Sequence, residues 1–256
     1  MRCRVCFLLL LLSSNCHSQE KVSPTTRDKF AQLNVELQPE PQEQTLSAFF
    51  APGTPGKVSV EDLQLPPKAA RELQRSQKAF QSRDWQGAAF HLEKVLAIDP
   101  QYWPAHNTLG NLYVCLGQYD RAVSEFQKAA QSEPHSALPL NNLGATLFLL
   151  KRYPEAERVA RSTLELDPGQ AEAHYILGCA LVAQGRFTPE TEQQLRLSTS
   201  SIPTARLLLA DLLSSRGARE EAAAELRAYL QIPGAPEKEQ VQSSLARLTR
   251  TSANLN

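Results

Sequence analysis

Residues 103–136 read WPAHNTLGNLYVCLGQYDRAVSEFQKAAQSEPHS, and the spacing inside this stretch decides the fold. Leu109, Leu112, Tyr113 and Leu116 recur at helical spacing and give a first helix one apolar stripe. Gly117 follows them, placed to end that helix in a left-handed cap. Ala122, Val123, Phe126, Ala129 and Ala130 form the stripe of a second helix. Pro134 ends it, because proline disfavours helix in the residue before it. Gly110 and Ala122 are small where the two helices must approach closely. Neither helix can bury its stripe alone, so the stretch predicts a helix pair that needs neighbours.

The neighbours are present at one constant step. Trp85, Tyr119, Tyr153 and Phe187 share it, as do Ala88, Ala122 and Ala156. Pro100, Pro134 and Pro168 keep it, and so do the pairs Leu109-Gly110, Leu143-Gly144 and Leu177-Gly178. A period of about 34 residues predicts a helical-repeat solenoid, an all-α fold that offers a long surface to partners.

At these residues the chain resembles the tetratricopeptide repeat family. The matching positions are Leu109, Gly110, Tyr113, Gly117, Tyr119, Ala122, Phe126, Ala129 and Pro134. The unit from Pro67 to Pro100 keeps Ser76, Ala79, Trp85, Ala88, Leu92 and Pro100 but lacks Leu-Gly. The unit from Ala137 to Gln170 keeps Leu143, Gly144, Leu147, Tyr153, Ala156 and Pro168. The next, Ala171 to Ile202, begins well with Leu177, Gly178, Leu181, Gly185 and Phe187. It then places Glu190 and Gln194 where Ala and a large apolar residue are expected. A fifth pair follows from Pro203, with Leu209, Ala210, Leu213, Gly217, Ala222, Leu226 and Tyr229. The resemblance implies a right-handed superhelical solenoid of about five helix pairs over residues 67–251, and a fold that hosts many functions.

The fourth unit is two residues short of the period. A shortened second helix from Pro189, fading into residues 198–201, accommodates the loss. Beyond Pro236, Val241, Leu245 and Leu248 share one face of a final helix, expected over residues 237–250. Its other face is polar, which suits a terminal cap.

Residues 1–18 have the layout of a secretory signal peptide: Arg2 and Arg4, an apolar run from Val5 to Leu12, then a small polar stretch. The run is too short to span a bilayer, which takes about 20 apolar residues. Cleavage after Ser18 would leave Gln19 first. The competing reading makes Cys16 a lipid-modified residue of an envelope lipoprotein assisting secretion or pilus assembly, although Ser13 and Asn15 depart from the usual signal. The expectation is an exported protein, periplasmic or extracellular, with a bacterial envelope as its setting.

Loss of Arg2 and Arg4 leaves 25 Lys and Arg against 27 Asp and Glu. Such a balance gives nucleic acid or an anionic membrane surface nothing to bind. Of five cysteines only Cys115 and Cys179 lie beyond the leader. Nearly two repeats separate them, too far for a disulfide. Residues 19–66 are a Pro- and Gln-rich stretch with little regular structure expected. Phe49 and Phe50 stand out there as a pair of aromatics, docked on the first helix pair, serving as a binding handle, or lying in the chain's own groove until a partner displaces them.

No catalytic, cofactor or metal constellation appears. His91, His106, His135 and His174 are spread along the repeats, whereas a metal needs converging ligands. His106 and His174 share one repeat position and read as packing residues. No Gly-rich phosphate loop is present. What remains is the concave groove that the resemblance assigns to the first helices. Its expected lining is Phe80, Asn107, Asn111, Asn141, Asn142, Phe148 and Tyr175. Amides of this kind can give and take hydrogen bonds with a peptide backbone. Asn107, Glu172 and Ile176 stand where clamp-type members carry Lys and Arg, so a carboxylate clamp is not expected. The sequence therefore points to a non-catalytic scaffold that binds an extended peptide or loop of a protein partner.

Overall fold

A computed structural model describes residues 65–253, with side chains to 249. The expected signal peptide, Cys16, and the stretch before residue 65 with Phe49 and Phe50 lie outside the described residues. Those described are all helical and fall into two compact units divided between Arg152 and Tyr153.

The first unit holds α1 (Pro67–Gln81), α2 (Trp85–Ile98), α3 (Trp103–Cys115), α4 (Tyr119–Ser132) and α5 (Ala137–Leu149). Each helix packs on the next, and α3 also touches α5. The second unit holds α6 (Tyr153–Leu166), α7 (Ala171–Ala183), α8 (Pro189–Ser198), α9 (Ala205–Ser215), α10 (Arg219–Leu230) and α11 (Lys238–Ala253). Here too each packs on its successor.

The turn inside each pair is one device repeated. Arg83, Gly117, Lys151, Gly185 and Gly217 all have positive φ, between 59° and 81°. At Gly117 the amide bonds back to the Val114 carbonyl at 3.0 Å, and that of Gln118 to Tyr113 at 2.8 Å. Equivalent pairs close the helix before each of the other four. This is the double-bonded left-handed cap that satisfies the last carbonyls of a helix. Glycine adopts it freely, whereas a residue with a Cβ pays about 1–2 kcal/mol in strain. Lys151→Gly is therefore expected to raise stability by about 0.5–1 kcal/mol, once the entropy glycine adds to the unfolded chain is subtracted. Chemical denaturation of the full chain would read this as a higher midpoint at unchanged slope.

The pairs close through small-to-large contacts. A Cβ on Gly110 would lie 2.6 Å from the Phe126 ring, and one on Gly178 would lie 2.7 Å from Leu195. The second of these corrects the register expected for the fourth repeat. Helix α8 begins at Pro189, as expected from the sequence, two residues later than the constant step would place it, at Phe187. The packing register shifts by one residue, which carries Glu190 and Gln194 off the packing positions. Thr191 and Leu195, both fully buried, take them instead. Thr188 caps α8 reciprocally with Thr191, fixing the new start. Phe187 is left in the loop, 40% exposed.

The edge helices are built differently from the inner ones. One repeat before Ala105, Leu109 and Leu112 of α3, all buried, stand Arg71, Arg75 and Lys78 of α1, all exposed. In α1 the inner apolar stripe is replaced by cations, which suit a solvated end of a repeat array. At the other end α11 buries Val241 and turns Gln242, Ser243 and Arg247 outward.

Candidate functional site

Helices α3 and α5 carry no charged residue along their whole length. The first unit thus contains two touching helices whose polar side chains are amides, hydroxyls and one imidazole. Asn142 of α5 donates from Nδ2 to Asn107 Oδ1 of α3 at 2.9 Å, tying the two together. Thr146 returns its hydroxyl to the Asn142 carbonyl at 2.7 Å. Asn111, one turn beyond Asn107, is half-buried, as is Asn142.

The remaining residues expected in the groove are buried. Phe80 packs its ring 6.3 Å from Trp85 at the end of α1. Phe148 is 2% exposed and Asn141 only 4%. Both side-chain polar atoms of Asn141 are buried without a hydrogen-bond partner. Such a group costs about 1–3 kcal/mol until something pairs with it. Tyr175, in the second unit, is completely buried beside Cys179 and Thr204. Burial pushes its hydroxyl well above the ordinary tyrosine range, and raises the Cys179 thiol as well. Cys115 and Cys179 are both thiols and not a disulfide.

The histidines prove to be half of a repeated bridge that sequence reasoning missed. Within four of the pairs a polar residue of the first helix meets one 19 or 20 positions later on the second. Glu72 meets His91 at 2.8 Å, and His106 meets Glu125 at 2.7 Å. His174 meets Gln194 at 2.6 Å, and Arg206 meets Glu225 at 2.6 Å. His106 and His174 bind their second ring nitrogen to the Pro100 and Pro168 carbonyls, at 3.0 and 2.9 Å. Every ring nitrogen of both is thus committed, which leaves neither histidine for a metal or for catalysis. Polar residues at both places in every repeat but the third, where Leu140 and Val159 stand, were the available signal.

A second set of bridges runs between successive second helices. Arg121 reaches Glu93 at 3.4 Å; Arg161 reaches Glu190 at 2.7 Å; Arg196 reaches Glu221 at 2.8 Å. The first has the opposite polarity to the other two. A cleft of about 510 Å³ lies beside it, between α2 and α4 over α3. Its polar groups already satisfy one another: Tyr113 donates to Glu93 at 2.9 Å, and Arg121 donates to the Tyr113 hydroxyl at 2.5 Å. Burial, with the carboxylate beside it, pushes Tyr113 up to about 12.

Among the described residues, no three His, Cys, Asp or Glu converge as metal ligands. No helix among them is long and apolar enough to cross a membrane.

Family models described as tetratricopeptide repeat match residues 79–138 and 150–188. Among curated proteins, the type IV pilus assembly protein PilF of Pseudomonas aeruginosa is 32% identical over 127 residues, 48% of this chain. The match spans half the length of PilF. Among solved structures, MamA from Desulfovibrio magneticus RS-1 superposes with a TM-score of 0.60 at 19% identity, covering 68% of this chain and 99% of that one. YrrB, described as a TPR protein with an unusual peptide-binding site, gives 0.56 at 21%, covering 69% and 91%. At these identities the structures share the fold.

Proposed function

We propose, from the premise that this chain belongs to the tetratricopeptide repeat family, that it is an exported, non-catalytic scaffold binding an extended, weakly charged peptide or loop on the first helices of its repeats. The observation that carries this reading is the uncharged face of α3 and α5. Asn107, Asn111 and Asn142 line it with groups that give and take backbone hydrogen bonds. Phe80, Phe148 and Tyr175 are buried and support these helices from within, so the half-buried Asn111 and Asn142 are the groups that would meet a peptide.

The test is selection of ligands from a random peptide library displayed on phage against the full-length chain, followed by titration of synthetic binders. Selected sequences should be poor in Lys, Arg, Asp and Glu. Losing hydrogen bonds to a desolvated partner costs about 1–3 kcal/mol. The pair Asn111→Ala, Asn142→Ala should therefore weaken binding tenfold or more and leave the helix content intact. Raising the salt should change affinity little, since exposed ion pairs would be few. An unchanged affinity in the double variant, or a steep salt dependence, would move binding to a charged outer face.

A second reading is favoured by the similarity to PilF together with Cys16 in the leader. In it the chain is an envelope lipoprotein, acylated at Cys16, that assists secretion or pilus assembly. Intact-mass measurement of the exported protein separates the two readings: Gln19 at the N-terminus supports free export, and a diacylated or triacylated Cys16 supports the lipoprotein.

A further inference from the structure

The N-terminal edge of the first unit carries one sign of charge. Lys68, Arg71, Arg75 and Lys78 follow one another along α1 at alternating steps of three and four residues, which places them on one stripe of the helix. All four are exposed, and they span about 15 Å at a rise of about 1.5 Å per residue. The acid of α1, Glu72, lies off the stripe. It is buried, and takes Arg75 at 2.5 Å and His91 at 2.8 Å. On α2 the same edge continues with His91 and Lys94. The Lys94 Nζ stands 4.2 Å over the ring of Phe90, which at 53% is the most exposed large apolar side chain among the described residues.

Solvation alone does not account for this pattern. The end of a repeat array has to be polar, and α11 meets that need with Gln242, Ser243, Arg247 and Thr249, all exposed. A stripe of one sign repels itself, and unmixed charge serves to attract and orient an opposite charge. The place of the stripe says what shape that charge has. Lys68, Arg71, Arg75 and Lys78 lie one repeat before Tyr102, Ala105, Leu109 and Leu112, which are all buried, on or beside the helix that α2 packs against. His91 and Lys94 likewise lie one repeat before Glu125 and Lys128, which line the cleft between α2 and α4. The edge thus has the form of a seat for a preceding second helix, with the apolar contacts of such a seat replaced by exposed cations. A second copy stacked end to end is not the complement. Helix α11 holds Lys238, Arg247 and Arg250 against Glu239, so the two ends would meet cation to cation.

We propose that this edge is a second docking surface, whose partner is a protein helix with acidic residues along one stripe, seated beside α1 as a preceding second helix would be. Acids at the same alternation of three and four residues meet Lys68, Arg71, Arg75 and Lys78 in turn, and an apolar residue flanking them covers Phe90. The surface does not depend on the amide face of α3 and α5, and it differs from that face in kind. The ligand proposed for the amide face is extended and uncharged, whereas this one is helical and charged, and its binding weakens as salt screens it. One chain can then join two partners.

Fluorescence anisotropy with the full-length chain tests this. The probe is a labelled alanine-based helical peptide with Glu at i, i+3, i+7 and i+10 and one Leu beside them. The control is the same peptide with two central alanines changed to proline, which keeps the charge and breaks the helix. The helical probe should bind at least tenfold more tightly than the control, and should lose most of its affinity at about 1 M salt, where the screening length falls to about 3 Å. Arg71→Glu, Lys78→Glu should weaken it at least tenfold, and Arg71→Gln, Lys78→Gln by a smaller factor in the same direction. Both residues are exposed, so the helix content of the chain should be unchanged in either variant. Lys238→Glu, Arg247→Glu makes the same charge change at the other end and should leave the affinity within twofold. No binding of the helical probe, equal binding of probe and control, or unchanged affinity in both α1 variants would overturn the proposal. An equal loss in the α11 variant would overturn it too, by reducing the effect to overall charge. So would tighter binding to vesicles of phosphatidylcholine and phosphatidylserine in equal parts, or to duplex DNA, because the edge would then serve an anionic membrane or nucleic acid. The selection of uncharged peptides against the amide face has no bearing on these outcomes.

Discussion

Gly110→Leu is expected to lower the thermal midpoint by roughly 6–12 °C, while Gly169→Leu shifts it little. The cause is space. A Cβ at Gly110 would sit 2.6–2.9 Å from three atoms of the Phe126 ring, nearer than real Cβ contacts come. Phe126 is completely buried and has no solvent to move into. Overpacking of this kind costs about 1–3 kcal/mol and occasionally more, and the rest of a leucine side chain must also be housed, so the upper end of that range applies. For a chain of this size each kcal/mol shifts the midpoint by about 2–4 °C. Gly169 meets only Asp167 Oδ1, at 3.5 Å, and its φ is not positive. Its substitution should change stability by no more than about 0.5 kcal/mol in either direction, as surface changes usually do. Shrinking the opposing ring should return part of the loss, so Gly110→Leu with Phe126→Ala should be more stable than the additive sum. Equal midpoints for the two leucine variants would contradict the helix contact itself.

His106→Leu should cost about 2–3 kcal/mol, and adding Glu125→Val should restore most of it. His106 and Glu125 are both buried, 2.7 Å apart, in a bridge that joins α3 to α4. Removing the imidazole strands a buried carboxylate with Lys128 alone, at 2.7 Å. Breaking one side of a buried polar pair is far costlier than replacing both sides with apolar groups. The chain supplies the replacement: one repeat further on, Leu140 and Val159 occupy the same two positions. A double variant no more stable than His106→Leu would show that the bridge is not a coupled pair.

The same pair sets an acid limit. Burial pushes the Glu125 carboxyl up, but hydrogen bonds from His106 and Lys128 outweigh it and hold the group below its ordinary value. A folded pKa below the unfolded one adds stability above the unfolded value, about 4.3 for glutamate. That stability is lost as pH falls through the lower folded value. Glu157, held low against burial by Gln184, Arg161 and Arg186, acts in the same direction in the second unit. Denaturation curves recorded from pH 7 down to pH 3 should therefore fall less steeply for His106→Leu, Glu125→Val than for the unsubstituted chain. Parallel acid limbs would remove Glu125 from the account.

The constant step, the helix pairs, the left-handed turn at Gly117 and the polar last helix were all legible in the amino-acid order, because each is local. A stripe at helical spacing, a glycine past its end and a proline beyond it act within a few residues. Repetition then leaves one way to bury the stripes. The tertiary structure alone decided which side chains meet across a pair. His106 finds Glu125, and Arg206 finds Glu225, because two antiparallel helices bring distant positions into contact, a separation no local pattern encodes. It also decided which residues of α8 face inward. The start at Pro189 was legible, but only the burial of Thr191 and the packing of Leu195 against Gly178 show that these two, not Glu190 and Gln194, fill the core. The groove residues divide along the same line. Their identity as amides and aromatics belongs to the sequence. The burial of Asn141, Phe148 and Tyr175 belongs to the fold, since accessibility is set by what the rest of the chain lays over a helix.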